Sequence, residues 1–144
     1  MAVAPGVRGN SEMKSFLRIE EMMSTGRHFS FGSIRFEQVI AHGGSRPILS
    51  HRACEKSDGS AYNFLDFTIV PVGADIGVHT HQRDNQEIYV VMSGRGLMYL
   101  DGHEFEVETG HVVVNRPGGT HGLKNIGDTE LKLVVIEIPL SDQP

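Results

Sequence analysis

The chain has 144 residues, of which 39% are hydrophobic and 22% are charged, and these are ordinary values for a folded globular domain. The formal net charge is -5, and the lysines and arginines form no cluster, which disfavours nucleic acid and acidic membranes as partners. The composition therefore argues against extended disorder and favours a domain that handles a small molecule.

The single cysteine and the N-terminal sequence bear on the cellular location. Cys54 cannot form a disulfide within the chain, which is typical of a reducing compartment. The N-terminus lacks the apolar stretch of a signal peptide, and no run approaches the roughly 20 apolar residues that span a bilayer. We therefore expect a cytoplasmic protein in which residues 1–10 form a flexible arm and residues 11–144 form a single domain.

One short helix is predicted directly after this arm. Asn10 or Ser11 can cap its N-terminus, and Gly26 offers a stop at its C-terminus. Between them, apolar residues recur at helical spacing and are interpreted as packing residues: Phe16, Ile19 and Met23.

From residue 33 onward, short segments with alternating apolar residues are separated by turn residues, which predicts β-strands. Many short strands without helices between them favour an all-β sandwich or barrel of antiparallel sheets. The sequences LDGHE (100–104) and NIGD (125–128) predict hairpin turns. Most of the predicted strands lie at 33–40, 48–54, 62–70, 87–94, 95–102, 103–110, 111–119 and 131–140.

Two histidines one residue apart begin the most informative stretch of the chain, GADIGVHTHQRDNQEIYVVMSG at 73–94. On a strand, His79 and His81 project to the same face, so their two imidazoles can hold one metal ion. Glu87 opens the next apolar run, and His121 lies on a later strand after a tight Pro-Gly-Gly turn. If these strands are neighbours in a barrel, the four side chains complete a site of three imidazoles and one carboxylate.

The spacing of these residues resembles the first of the two motifs of the cupin superfamily, G-x5-H-x-H-x(3 or 4)-E-x6-G. The chain departs from this pattern at one point, because five residues separate His81 from Glu87. Gln86 is therefore an alternative to Glu87, although Glu87 keeps the six-residue spacing to the last glycine and offers a charged ligand. The matching residues are Gly73, His79, His81, Glu87 and Gly94.

The second cupin motif, G-x5-P-x-G-x2-H-x3-N, is matched at 110–125. Its residues here are Gly110, Gly118, His121 and Asn125, with Arg116 at the usual proline position and Pro117 just after it. The resemblance covers roughly residues 33–138. It implies a double-stranded β-helix, or jelly-roll barrel, preceded by the short helix and carrying the metal motifs at 73–94 and 110–125.

The proposed ligand set implies one divalent ion per subunit. Imidazole suits Zn, Cu, Fe and Ni, and a carboxylate also accommodates Mn. Four protein ligands fill a tetrahedral zinc site but leave two positions of an octahedral ion free, which favours Fe, Mn, Ni or Co and keeps Zn as an alternative. One carboxylate leaves the ion with a formal charge of about +1, which favours an anionic oxygen.

The reaction is left open by the sequence. Cupins include dioxygenases, decarboxylases, isomerases and polyketide cyclases, so the resemblance implies a metal-dependent enzyme for a small, largely apolar molecule such as an enolisable carbonyl, phenolic or polyketide-like compound. The pocket should be apolar because of its core-facing neighbours, Tyr89, Val91 and Met98. The alternative is a cupin that binds a small molecule without catalysis, as a sensor or binding module.

No general base is assigned by the sequence. The candidates are His51, Tyr62 and Tyr89, while Asp66 is expected to face solvent because Leu65 and Phe67 occupy the opposite face of its strand. The open sheet edges of such a barrel favour pairing with a second copy, so we expect a homodimer.

Overall fold

The described part of the chain, residues 13–15 and 26–141 of a computed structural model, forms ten β-strands and almost no helix. The all-β prediction is therefore confirmed. The strands are β1 (Glu37–Val39), β2 (Ile48–Glu55), β3 (Phe64–Val70), β4 (Asp75–Thr80), β5 (Asn85–Ser93), β6 (Arg95–Leu100), β7 (His103–Glu108), β8 (Val112–Asn115), β9 (Thr120–Asn125) and β10 (Leu131–Pro139).

These strands pair into two antiparallel sheets. One sheet has six strands in the order β1-β2-β3-β10-β5-β8, and the other has four in the order β4-β9-β6-β7. β4 and β5 are consecutive in the chain but belong to different sheets, so the connection at residues 81–84 crosses from one sheet to the other. This crossing brings the beginning of β5 opposite the end of β4.

Helical structure is confined to short stretches of the described residues. Residues 13–15 are helical, and Lys56–Asp58 form a single 3-10 turn after β2. The remainder of the predicted helix and the predicted arm at 1–10 lie outside the described residues. Within the residues described, no helix has the length and apolar character required to cross a bilayer.

The core lies between the two sheets and is built by period-two alternation along the strands. On β10, Leu131, Leu133 and Val135 point inward and are at most 6% exposed. Each fully buried aliphatic side chain of this kind stabilises the fold by about 1.5–3 kcal/mol. The cluster also contains Tyr89, Val91, Met98, Val107, Val113, Leu123 and several smaller residues.

The outer face of the six-stranded sheet is partly covered by the segment before β1. The ring of Phe67 on β3 lies 4.9 Å from Phe31 and 6.4 Å from Phe29, measured between centroids. Because this segment turns at residues 30–33 before pairing begins, β1 is shorter than the predicted strand at 33–40.

The cover over Phe67 also overturns the prediction for Asp66. Its face of β3 points into the barrel, and the residue is only 9% exposed. The apolar face of β3, which the alternation predicts to be the inner one, packs instead under the segment before β1.

One of the two predicted hairpins forms and the other does not. β6 and β7 pair with Leu100 opposite His103, and the positive φ angles of Asp101 and Gly102 suit a tight hairpin turn. The predicted hairpin at 125–128 is wrong, because β9 and β10 lie in different sheets. The Asn125 amide instead donates hydrogen bonds to the carbonyls of Val70 and Thr129, which fixes the crossing between the sheets.

Candidate metal centre

Four side chains of ligand type converge between the two sheets. His79, His81, Glu87 and His121 each offer one donor atom, and these atoms all lie within 4.8 Å of one another. Glu87 and His121 are buried, at 5% and 1% exposure, and the two other histidines are half-buried. The four residues predicted from the motifs are thus brought to one place.

The strand pairing explains this convergence. β4 pairs with β9 so that His79 lies directly opposite His121, and His81 follows on the same side two residues later. Glu87 lies near the start of β5, in the other sheet, and reaches the group from across the barrel. The candidate site therefore spans both layers of the sandwich.

Hydrogen bonds fix which ring nitrogens face the centre. His79 Nδ1 lies 2.7 Å from the carbonyl of Gly77, and His81 Nδ1 lies 3.1 Å from Asn85 Oδ1. Both partners are acceptors, so each Nδ1 carries the proton and each Nε2 presents a lone pair to the centre. This is the tautomer that a histidine ligand requires.

The crowding of these lone pairs fits a cation. The Nε2 of His81 lies 3.1 Å from the Nε2 atoms of both His79 and His121, and Glu87 Oε1 lies 3.2 Å from His121 Nε2. Two unprotonated nitrogens at such a distance repel unless a positive charge lies beside them. Two ligands about 2.1 Å from one ion and at right angles to each other are separated by about 3 Å, so the donor set fits a divalent ion.

Glu87 and Tyr89 lie on the same face of β5, and one is charged while the other is neutral. Burial opposes ionisation of Glu87, but the hydrogen bond from His121 and the three neighbouring histidines lower the pKa of the Glu87 carboxyl below its usual value. Burial, together with the adjacent Glu87 carboxylate, raises the pKa of Tyr89 well above its usual range. The site therefore holds an ionised carboxylate beside a neutral phenol.

His42, which the sequence did not single out, stacks on His79. The ring centroids are 3.5 Å apart and the planes are inclined by 8°. Burial lowers the pKa of His42, and burial, with the nearby histidines, lowers the pKa of His79 to about 4. Both rings are therefore neutral near pH 7, as stacking and metal binding require.

A cavity of about 490 Å³ opens from the ligand group along the interior of the six-stranded sheet. Its wall combines apolar side chains with a few polar ones, which is typical of sites for small molecules. The lining residues include Ile48, Arg52, Phe64, Asp66, His81, Glu87, Tyr89, Val135 and Glu137.

The predicted catalytic candidates fall in different places. Tyr89 lines the cavity. His51 lies on the opposite side of β2 from the lining residue Arg52, where its Nδ1 is 2.8 Å from the Arg35 carbonyl. Tyr62 and Gln86 are half-buried, and neither belongs to the ligand group or to the lining residues.

Four cavity or ligand-positioning residues were absent from the predicted site or misplaced: His42, Asp66, Asn85 and Glu137. His42 lies in a loop, where no periodicity indicates its direction. Glu137 follows the inward residues Leu133 and Val135 at period two, and this alternation was the available signal. The alternation does not identify the inner face of β10 in the sequence, because the outward positions of this strand are also largely apolar.

The family model of the cupin domain matches residues 66–137 of this chain. Three curated relatives share part of the sequence. A protein from Methanocaldococcus jannaschii is 41% identical over 71 residues, which is 49% of this chain and 56% of that protein. An oxalate-binding protein from Thermotoga maritima is 30% identical over 71 residues (49% and 58%), and a polyketide synthase component, CurC, from Streptomyces cyaneus is 29% identical over 86 residues (60% and 55%). The chain thus spans little more than half the length of these relatives.

The solved structures agree on the fold. A crystal structure described as a predicted oxalate decarboxylase from Thermotoga maritima superposes with a TM-score of 0.74 at 22% identity, covering 79% of this chain and all of that one. At this identity the likeness concerns the fold alone. It confirms the jelly-roll barrel predicted from the two motifs.

Proposed function

The chain belongs to the cupin superfamily, and on that premise we propose that it is a metal-dependent enzyme acting on a small, largely apolar, oxygen-bearing molecule. One observation carries the proposal: three imidazoles whose Nε2 atoms face one another and an ionised carboxylate meet at a cavity of about 490 Å³. Within the family, dioxygenase, cyclase, isomerase and decarboxylase chemistry all fit such a site. An enolisable carbonyl, phenolic or polyketide-like compound is the proposed substrate class.

The protein residues have distinct roles in this proposal. His79, His81, Glu87 and His121 would hold one divalent ion, with Fe, Mn, Ni or Co favoured and Zn as the alternative. When bound, the ion supplies positive charge that stabilises negative charge developing on a substrate oxygen and, if it is redox-active, an electron path for dioxygen chemistry.

The cavity wall would bind and orient the substrate. Ile48, Phe64 and Val135 offer apolar contact and exclude water, which strengthens electrostatic interactions inside the cavity. The buried phenol of Tyr89 stays protonated and lies beside Glu87, so it adds no charge to the cavity.

A second candidate is a cupin that binds its small molecule without converting it. The observation in its favour is the relative that is named as an oxalate-binding protein. Both candidates need the same ion and the same cavity, so only turnover separates them.

The test is a metal analysis of protein purified without a polyhistidine tag, followed by a substrate screen. We expect about one divalent ion per chain, and turnover of some phenolic, diketone or hydroxy-acid compound by protein loaded separately with Fe(II), Mn(II), Ni(II), Co(II) or Zn(II). Dioxygen uptake that needs Fe(II) assigns an oxygenase, whereas equal anaerobic activity with Zn(II) assigns a cyclase or isomerase. Tight binding without any turnover supports the binding module instead.

Three single substitutions control this experiment. His121→Ala should release most of the metal, whereas His103→Ala, in the exposed β6–β7 hairpin, should leave the metal content unchanged. Glu87→Gln should reduce turnover about a hundredfold or more, because it removes charge beside the ion while keeping the side-chain size. A metal content that survives replacement of all three histidines would refute the site.

A further inference from the structure

The cavity carries more negative charge than the ligand set alone. Four charged side chains line it among the described residues: Arg52, Asp66, Glu87 and Glu137. Arg52 and Asp66 neutralise each other through two parallel hydrogen bonds, Nε to Oδ1 at 2.9 Å and Nη2 to Oδ2 at 3.0 Å. Two carboxylates, Glu87 and Glu137, therefore remain to be balanced.

Glu137 lies beside the candidate metal centre without belonging to its donor group. Its position on β10 is directly paired with Glu87 on β5, and its side chain is 17% exposed. Asn63 Nδ2 donates a hydrogen bond of 2.9 Å to Oε1, while Oε2 lies 3.9 Å from His81 Nδ1, beyond hydrogen-bond distance. One carboxylate oxygen of this cavity-lining residue is thus held by Asn63, and the other has no hydrogen-bond partner among the described residues.

The sum of these charges indicates what the cavity accepts. A divalent ion with Glu87 alone would leave a centre of charge +1, but Glu137 brings the ion-loaded cavity to about zero. A neutral molecule adds no charge to the cavity, and a hydroxyl group on it finds an acceptor in Glu137. A dicarboxylate adds two negative charges close to the Glu137 carboxylate in a cavity that is already neutral, and this repulsion disfavours its binding.

We propose that this cavity selects a neutral oxygen donor, such as an enolisable diketone or a phenol, and rejects dicarboxylate dianions such as oxalate. Glu137 is the residue that determines this preference, and the Arg52–Asp66 pair assists because it leaves no unpaired arginine or lysine among the described lining residues to attract an anion. The inference rests on the proposed function, since it assumes the same ion. The ligand preference that we propose therefore differs from the oxalate named for two similar Thermotoga maritima proteins.

The test compares three probes. Acetylacetone and malonate have nearly the same shape but different charge, and oxalate is a second dianion. Manganese-loaded protein is titrated with each by calorimetry at low ionic strength, and its metal content is measured before and after. We expect acetylacetone to bind at least about tenfold more tightly than malonate or oxalate. In Glu137→Gln, we expect malonate and oxalate affinity to rise about tenfold or more, with little change for acetylacetone.

Two further variants keep the test decisive. Asp66→Asn leaves the guanidinium of Arg52 uncompensated, so it should also strengthen dianion binding, and it serves if Glu137→Gln does not fold. Glu104→Gln removes one carboxylate from exposed β7 and should change none of the three affinities.

Three outcomes would overturn the inference. Tighter binding of malonate or oxalate than acetylacetone by the wild type, an unchanged preference in both cavity variants, or binding of no probe at millimolar concentration would each do so while leaving the metal site intact. Protein that takes up no metal at all would overturn the proposed function as well, and the metal analysis before titration shows which of the two has failed.

Discussion

The stacked ring of His42 holds His79 in the orientation that points Nε2 toward the other donors. A ring that is clamped between a neighbouring imidazole and the Gly77 carbonyl loses little freedom when it binds an ion. Residues that orient metal ligands in this way commonly contribute a factor of 10–100 to metal affinity. His42 is therefore expected to act on the ion through His79.

Replacement of His42 tests this role. We expect His42→Asn, which removes the ring and tolerates the left-handed backbone of this position (φ 51°), to weaken metal affinity about tenfold. His42→Phe keeps an aromatic face and should restore most of the affinity. Competition with a fluorescent chelator measures both. Equal losses in the two variants would show that stacking is not the contribution of His42.

The lowered pKa values at the site predict how acid acts on metal-free protein. His79 has a pKa of about 4 in the fold and 6.5 in the unfolded chain, so the unfolded chain binds more protons between these values. The free energy of unfolding should fall as the pH drops through this window, by on the order of 1 kcal/mol after allowance for partial solvent screening. The lowered pKa of Glu87 adds a further loss below about 4.5.

Urea denaturation of the metal-free protein at several pH values between 4 and 7.5 measures this dependence. His79→Gln cannot take up the proton, so its stability should vary less over the same range. The same slope in both proteins would contradict the assignment of the titration to His79.

At the level of single residues, the sequence located the donor group because strand parity and motif spacing agree for His79, His81, Glu87 and His121. It missed His42 because a loop residue has no parity, and its position depends on a backbone contact made by a distant strand. It misplaced Asp66 because both faces of β3 are covered, so alternation could not say which face is the inner one.

Among the elements, the loop between β1 and β2 is held against β4 at Asp75, which accepts two hydrogen bonds from Ser45, and by a close contact at Gly77. Gly77 N donates a hydrogen bond of 3.0 Å to the Ala41 carbonyl, and a Cβ on Gly77 would collide with the backbone carbonyl of His42. The backbone contact that places His42 over His79 therefore requires a residue without a side chain at this position of β4.

Gly77→Ala should displace this loop. We expect a loss of about 1–3 kcal/mol in the free energy of unfolding, as for other overpacked sites, together with weaker metal binding from the displaced His42. Gly127→Ala is the matched control, because a Cβ there meets its nearest atom only at 3.5 Å. Thermal unfolding and chelator competition on both variants make the comparison, and similar effects in the two would count against the loop contact.

Element boundaries could be predicted where the turn residues themselves favour a tight turn, as Asp101 and Gly102 do. Residues 125–128 have similar turn chemistry but join two sheets, and their role depends on long-range pairing of β9 and β10 with other strands. Local sequence specifies that the chain turns at such a place. It does not specify which strand lies next to which.

For the molecule as a whole, the outer face of the six-stranded sheet is unusually apolar. Val112 and Val114 on β8 are 58% and 44% exposed, and Met92 on β5 is 47% exposed. Val112 is paired with Val90, and Val114 with Ile88, so these side chains form a continuous surface at one edge of the sheet. Contiguous exposed apolar surface of this kind is typical of an interface.

We propose that this surface is the interface of the expected homodimer. Light scattering of the wild type should give twice the monomer mass, and the double substitution Val112→Glu and Val114→Glu should give the monomer mass, because it buries charges at the interface. Val72→Glu, at an equally exposed valine in the turn after β3, should leave the dimer intact. A wild type that is monomeric at tens of micromolar would refute the proposal.

The placement of donors on both sheets has a thermodynamic consequence. An ion held by β4 and β9 on one side and by β5 on the other cross-links the two layers, so the free energy of ion binding is also free energy of barrel closure. By mass action, free metal at a hundredfold its Kd should stabilise the folded state by about 2.7 kcal/mol. Chelation should therefore lower the Tm and accelerate amide hydrogen exchange along β4, β9 and the start of β5, while the β6–β7 hairpin, which lacks a donor, exchanges at an unchanged rate. The free energy needed to separate the two sheets would therefore depend on the concentration of free metal ion.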